Sequence, residues 1–192
     1  MGRVTGLRTK HGGCVLVQVD GDDWRVLPAD VVVRARLTVG TELDRPRLRA
    51  VARERRRVRA LAAAGSALRV RDLPARRLEQ RLERRGVPRA ARTEVVVALQ
   101  DAGIVDDERY ACSRALALAG RGAGDAAIRY DLRRQGVSRE LVEGALGRLE
   151  PEPERAERIV AVRGRSPATA RFLARKGFAE ETVEAAAGEV LG

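Results

Sequence analysis

Leu82-Glu83-Arg84-Arg85-Gly86-Val87 recurs as Leu132-Arg133-Arg134-Gln135-Gly136-Val137 and again as Leu173-Ala174-Arg175-Lys176-Gly177-Phe178. Each copy sets a Leu four residues before a Gly and an apolar residue directly after it. This spacing predicts a helix end: the Gly takes the left-handed conformation, and the apolar residue after it folds back onto the last turn. Gly103-Ile104 offers the same device once more. Leu78, Ile128 and Thr169 stand eight residues before the three glycines, on the helix face of the capped Leu. Each unit is therefore expected to be a leading helix, a second helix ending at the Gly, and a third running to Leu99, Leu146 or Val190. The wider spacing of the first two glycines is expected to lie in longer loops.

Working outward, the expected fold is mainly α: three tandem three-helix repeats in an elongated array, over residues 46–105, 106–150 and 151–192, preceded by a small N-terminal β module over residues 1–45. In that module Cys14 to Val19 alternate as a half-buried strand does, with Val15, Val17 and Val19 on one face and Leu16 and Gln18 on the other. Asp20-Gly21-Asp22-Asp23 supplies a turn, and Trp24 to Leu27 the returning strand. Val31-Val32-Val33 fits a strand or a short helix, and Val39-Gly40-Thr41 a turn. After Pro46 the chain turns to Ala, Arg, Leu and Glu with apolar residues at helical spacing. Ser166-Pro167 is a helix start, and Ser138 caps the helix after Gly136.

Composition narrows the function. With 44% hydrophobic and 34% charged residues the chain has the makings of a folded protein. No apolar run approaches the roughly 20 residues of a membrane span, and the first residues lack the apolar stretch of a signal peptide, so a cytoplasmic, non-membrane protein is expected. Cys14 and Cys112 lie in no metal or redox spacing and are expected to be reduced and partly buried. The net charge of +11 is concentrated in residues 48–105, which carry +9.

Candidate chemistry is sparse. His11, the single histidine, sits beside Gly12-Gly13 with no second ligand nearby. Ser66, Ser113, Ser138 and Ser166 have no accompanying base, which fits caps and surface positions. Gly120-Arg121-Gly122-Ala123-Gly124 follows a helix where a phosphate loop would follow a strand, and is expected to be a helix connection. Asp106 reads as an N-cap with Asp107 and Glu108 in the first turn, where acids suit the helix dipole, and Tyr110 is expected to pack inward. Three acids in one turn exceed what a cap needs, so an exposed pair suits a basic partner.

Arg84, Arg134 and Arg175 stand two residues before the capping Gly in all three copies. A cation there stabilises the helix dipole in any protein. In a stacked array the same positions also form a row of guanidinium groups suited to a nucleic-acid backbone or an acidic protein groove. In the middle unit Ile128 and Leu132 must face the core, which leaves Arg129 and Arg133 flanking the buried side, and with Arg134 they place three cations where the only acid between them is Asp131. Arg129, Arg133 and Arg134, with Arg84, Arg85, Arg175 and Lys176, are therefore the candidate partner-binding residues.

Gly103-Ile104-Val105-Asp106-Asp107-Glu108-Arg109-Tyr110-Ala111, a Gly-rich turn, Ile128, Leu132, Gln135-Gly136-Val137 and Leu146 together closely resemble the RecX family of bacterial recombination regulators. Asp106, Asp107, Glu108, Tyr110, Leu132 and Gly136 match its motif, and the similarity runs more weakly through the first and third units. Pro74 departs from it, standing where Ser is common, as do extra residues between Gly86 and Leu99. The resemblance implies a monomeric, non-catalytic protein without cofactors. It implies binding to the RecA recombinase and its DNA filament, with inhibition of filament extension, ATP hydrolysis and strand exchange. The alternative is a basic helical-repeat module that binds single- or double-stranded DNA directly. The low aromatic content, 3%, argues against base stacking as its main contact.

Overall fold

The computed structural model describes residues 2–187. At the N-terminus β1 (Gly2–Lys10), β2 (Cys14–Val19), β3 (Asp22–Pro28) and β4 (Glu42–Leu43) form an antiparallel sheet in the order β3-β2-β1-β4. Asp20 and Gly21 close the β2–β3 hairpin with φ of 53° and 96°, the positive values a tight two-residue turn needs. Strand β1 is not visible in the sequence pattern. Gly6 interrupts its alternation at a register shift, and a Cβ there would run into the Gln18 side chain. Val31 and Val32 resolve to a helix, α1 (Ala29–Arg34), and Gly40 turns at φ 91°. Leu16, on the face opposite Val17, is also buried, so β2 is covered on both sides at that point.

The rest of the described chain is helical. Helix α2 (Arg45–Leu68) starts at Asp44, whose carboxylate accepts from Arg47 N–H at 2.7 Å, with Pro46 in the first turn. It is followed by α3 (Ala75–Arg84) and α4 (Arg89–Asp101), by α5 (Asp107–Ala119), α6 (Asp125–Gln135) and α7 (Arg139–Leu146), and by α8 (Glu152–Arg163), α9 (Pro167–Arg175) and α10 (Glu180–Ala187). Val190, expected near the end of the last helix, lies outside the described residues. The chain is mainly helical with a small N-terminal antiparallel sheet.

The glycine caps form as their spacing predicts. Gly86, Gly136 and Gly177 have φ of 73°, 90° and 80°, and Gly103 66°. Val87 N–H donates to the Leu82 carbonyl at 3.1 Å, Val137 N–H to Leu132 at 3.2 Å and Phe178 N–H to Leu173 at 3.2 Å, the same closure three times. Leu78, Leu82, Ile128, Leu132, Thr169 and Leu173 are all buried. The extra length between Gly86 and Gly136 corrects the expectation of longer loops: much of it is helix, since α4 has 13 residues against 8 in α7.

Two compact units result. One joins the residues up to Arg71 with Leu78–Asp101, and the other joins Asp72–Arg77 with the described chain from Ala102 onward. The first turn of α3 thus clusters with the second unit. In the first unit Val4, Val17, Leu27, Val31 and Val51 make a core between the sheet, α1 and α2. The second has two clusters, around Ile128, Leu132 and Val142 and around Ala156, Leu173 and Phe178.

Candidate functional site

The matched motif lies in α5, α6 and α7. Ile128 and Leu132, one turn apart and fully buried, fix the inner stripe of α6. At 100° per residue, Tyr130 must then point away from the core, and its exposure is 67%. Arg133 and Arg134 are also exposed and carry no ion pair among the described residues. Arg129, at the edge of the stripe, is held from inside the fold: its Nε and NH2 both donate to the Glu143 carboxylate on α7 at 2.8 Å. The hydrogen bond and charge of Arg129 hold the Glu143 carboxyl below its usual range, and the bond to Glu143 raises Arg129 in turn. Asp131 is likewise engaged, accepting from Arg114 Nε at 2.8 Å and NH2 at 3.0 Å.

The other candidate cations are also at helix ends. Arg84 is exposed, with Nε 3.4 Å from the Gln80 carbonyl, and Arg85 donates to the Ala63 carbonyl at 3.1 Å. Arg175 is exposed. Lys176 donates to the Arg121 carbonyl at 3.3 Å and lies 5.6 Å from the centre of the Phe172 ring.

Each acid of the 106–108 turn has a partner within the fold. Asp106 caps α5 by accepting from Arg109 N–H at 2.9 Å, and Glu108 pairs with Arg148, which also donates to the Cys112 sulfur at 3.1 Å. Both contacts raise Arg148. Asp107 reaches the first turn of α3 and accepts from Ala75 N–H at 2.7 Å. Pro74, preceding that turn, has no side-chain oxygen with which to cap it.

The same arrangement recurs one step along. Helix α6 follows Gly124, which has no side chain, and its first N–H, on Asp125, donates to Glu152 Oε1 of α8 at 2.6 Å. Helix α9 follows Ser166, which caps α9 itself by accepting from Thr169 N–H at 3.2 Å. The glycine caps complete each junction. Gly136 packs on Arg76, and Gly177 on Ala127, so closely that an added Cβ would lie 2.9 Å from Arg76 Cβ and 2.7 Å from Ala127 Cβ. Buried Arg155 locks the second junction, donating to the Ala123 carbonyl at 2.8 Å, to the Glu150 carbonyl at 3.0 Å and to the Asp125 carboxylate.

Catalytic chemistry finds no support in this geometry. No group of three or more His, Cys, Asp or Glu able to hold a metal occurs among the described residues. His11 is exposed in the β1–β2 turn, Ser138 and Ser166 are caps, and Ser113 is exposed. Cys14 and Cys112 are free thiols, half-buried. The 120–124 loop closes α5, with Gly122 at φ 75° and Ala123 N–H on the Leu118 carbonyl at 3.1 Å.

The family model of the RecX second three-helix domain matches residues 106–146, the segment that carries α5, α6 and α7. Regulatory protein RecX of Deinococcus radiodurans is 33% identical over 161 residues, covering 79% of this chain and 77% of that protein. The chain belongs to the RecX family. A RecX regulatory protein from Mycolicibacterium smegmatis is 37% identical over 89 residues, covering 43% of this chain and 46% of its own. A crystal structure of regulatory protein RecX shares the fold across 97% of this chain and 98% of its own, with a TM-score of 0.82 at 20% identity. RecX from Lactobacillus salivarius matches 68% of this chain and 94% of its own at TM-score 0.60 and 18% identity. These relatives are named regulatory proteins.

Two features escaped the sequence reading of this RecX chain. Tyr130 was detectable: it stands two residues after a buried Ile128 and so on the opposite side of α6. The pairing of Asp107 with Ala75 was not, since it joins residues 32 apart.

Proposed function

We propose that the chain regulates homologous recombination by binding the RecA filament on DNA, limiting its extension, ATP hydrolysis and strand exchange with no catalytic step of its own. The observation that carries this reading is the outward face of α6. Within the segment matched by the RecX model, Tyr130, Arg133 and Arg134 are exposed on about one turn, and the two arginines lack intramolecular ion pairs among the described residues. An aromatic ring flanked by guanidinium groups is the side-chain mixture that dominates protein interfaces, and its charge suits an acidic groove. Arg129 borders this face, while Arg84, Arg85, Arg175 and Lys176 extend the set of cations at helix ends. No helix among the described residues is long and apolar enough to cross a membrane.

The test is DNA-dependent ATP hydrolysis by RecA, titrated with this protein. The expected result is dose-dependent inhibition by the wild type with no nucleotide turnover by the protein alone. Full RecA turnover at saturating protein defeats the reading.

A further inference from the structure

The carbonyls of a helix's last turn have no donor within the helix and must find one in another segment or in water. At the end of α6 the Leu132 carbonyl accepts from Val137 N–H at 3.2 Å and the Arg133 carbonyl from Gly136 N–H at 2.9 Å. The Arg134 carbonyl is served from another helix. Arg77, in the first turn of α3, donates to it through NH2 at 2.6 Å and to the Gln135 side-chain oxygen through Nε at 3.1 Å. Arg77 and Gln135 are half-buried, whereas the Arg134 side chain stays exposed. All of these residues belong to the second compact unit.

The turn that carries Arg77 is itself held from both sides. Ala75 N–H donates to the Asp107 carboxylate of α5 at 2.7 Å, and Gly136 sits so close to Arg76 that a Cβ there would lie 2.9 Å from Arg76 Cβ. Residues 75 to 77 thus tie the start of α5, the glycine cap and the last turn of α6 to one turn of α3. This has an electrostatic consequence. The partial negative charge at a helix C-terminus attracts the nearest mobile cations, which on α6 are Arg133 and Arg134. Arg77 supplies that cation from outside, so the two arginines are not drawn back onto their own helix end. In the first copy of the repeat, by contrast, Arg84 Nε lies 3.4 Å from the Gln80 carbonyl of its own helix.

We propose that Arg77 is a positioning residue for the recombinase contact: its guanidinium caps α6 from α3, fixes the backbone of Arg134 and leaves the Arg133 and Arg134 side chains free for the partner. This role rests on the reading in which the outward face of α6 binds RecA. Preorganisation of this kind acts on affinity, since side chains that are already extended need not be released from an internal contact before binding.

The test is a double-mutant cycle in the full-length protein, read as the concentration giving half-inhibition of RecA ATP hydrolysis. Arg77→Met keeps an unbranched apolar stem and removes the guanidinium fork. It should raise that concentration roughly fivefold in the wild-type background and leave it unchanged in R133A/R134A, because its effect passes through those side chains. Any loss of melting temperature should instead be the same in both backgrounds, so a merely structural role predicts no such difference. Arg76→Met removes an equal charge one residue away and should inhibit within about twofold of wild type, which separates positioning from a general loss of positive field. Arg77→Lys keeps the charge and a donor but not the fork, and should fall between R77M and wild type. It replaces R77M in the cycle if that variant does not fold.

Wild-type inhibition by folded R77M, or by R77K in its place, overturns the positioning role. So does an undiminished loss in the R133A/R134A background, or an equal loss in R76M. With R133A/R134A itself weakened, these results leave the α6 contact standing. Wild-type inhibition by R133A/R134A defeats that contact, and this role with it.

Discussion

The Asp107 carboxylate, at the start of α5, accepts a hydrogen bond from the backbone N–H of Ala75 at the start of α3. Glu152 of α8 does the same for Asp125 of α6, so each of these second helices takes its N-terminal cap from the leading helix that follows in sequence. Ser166 shows the alternative, a helix that caps itself. One acid of the family motif, Asp107, thus ties α5 to α3, and Glu152, outside the motif, ties α8 to α6.

Removing these borrowed caps should destabilise the second unit. Asp107→Ala is expected to cost about 1 kcal/mol, the usual worth of an N-cap. Glu152→Ala should cost more, because Glu152 also accepts from Ala179 N–H at 3.1 Å and from the Thr182 hydroxyl at 3.2 Å. Urea melts of the two variants should rank in that order. Equal stability of both with wild type would show that water replaces the carboxylates without loss.

Glycine substitutions should separate by what a Cβ meets. Gly124→Ala would drive the new atom into the Gly177 carbonyl and Phe178 N, backbone that cannot swing aside, at a cost of about 3 kcal/mol or more. Gly86→Ala meets open space but keeps φ at 73°, for about 1 kcal/mol. Gly144→Ala, at an exposed position of α7 with nothing near, should stabilise by about 0.5 to 1 kcal/mol. Thermal melts of the three variants check the order, and a tolerated Gly124→Ala contradicts the tight junction.

Buried Arg155 should be the most sensitive cation in the chain. Arg155→Ala leaves the Asp125 carboxylate and the Ala123 and Glu150 carbonyls without their donor, and losing one partner of a buried pair costs about 3 kcal/mol or more. Arg158→Ala, whose partner Glu150 is reached from an exposed position, is the comparison and should cost about 1 kcal/mol at most.

The Glu143 carboxyl is held down in the folded state by Arg129, so its contribution to stability has a defined sign with pH. A carboxyl lowered by folding contributes stability above its unfolded value, and that contribution is lost as pH falls through the folded one. Glu143→Gln should therefore flatten the acid side of the stability profile below about pH 4 while changing it little near neutrality, given the pair's exposure. Chemical denaturation of both proteins across that range checks it. An identical acid limb in variant and wild type removes the pair from the account.

Local signals in the sequence were reliable where the physics is local. Gly86, Gly136 and Gly177 announce their caps because a positive φ and a buried neighbour are properties of six consecutive residues. Cys14 to Val19 and Trp24 to Leu27 announce a hairpin through alternation and a turn. Strand β1 was hidden by Gly6 and by a register shift, and its stability comes from pairing with β2, a property no single strand displays. The candidate site shows the same division. Helical phase sets Arg129 and Arg133 alike at the flanks of the stripe made by Ile128 and Leu132, whereas the capture of Arg129 by Glu143, with Arg133 left exposed, depends on how α6 meets α7.

That capture sets the final prediction, which divides Arg129, Arg133 and Arg134 where the sequence treats them as one group. Arg129 spends its fork on Glu143, so Arg129→Ala should reduce stability slightly, by about 0.5 kcal/mol, and leave RecA inhibition close to wild type. Arg133 and Arg134 have no such partner among the described residues, and their joint replacement by Ala should preserve helicity and melting temperature. The same double change should raise the concentration needed for half-inhibition of RecA by roughly tenfold and make inhibition less sensitive to salt, since exposed cations act through a screened field. Tyr130→Ala should weaken inhibition without altering the salt response, because a ring contributes contact area and no charge. Circular dichroism establishes folding, and RecA ATP hydrolysis at two ionic strengths gives the readout. If the folded Arg133/Arg134 variant inhibits like wild type while Arg129→Ala does not, the contact lies along the Arg129 edge of α6 and the outward face is only solvated surface.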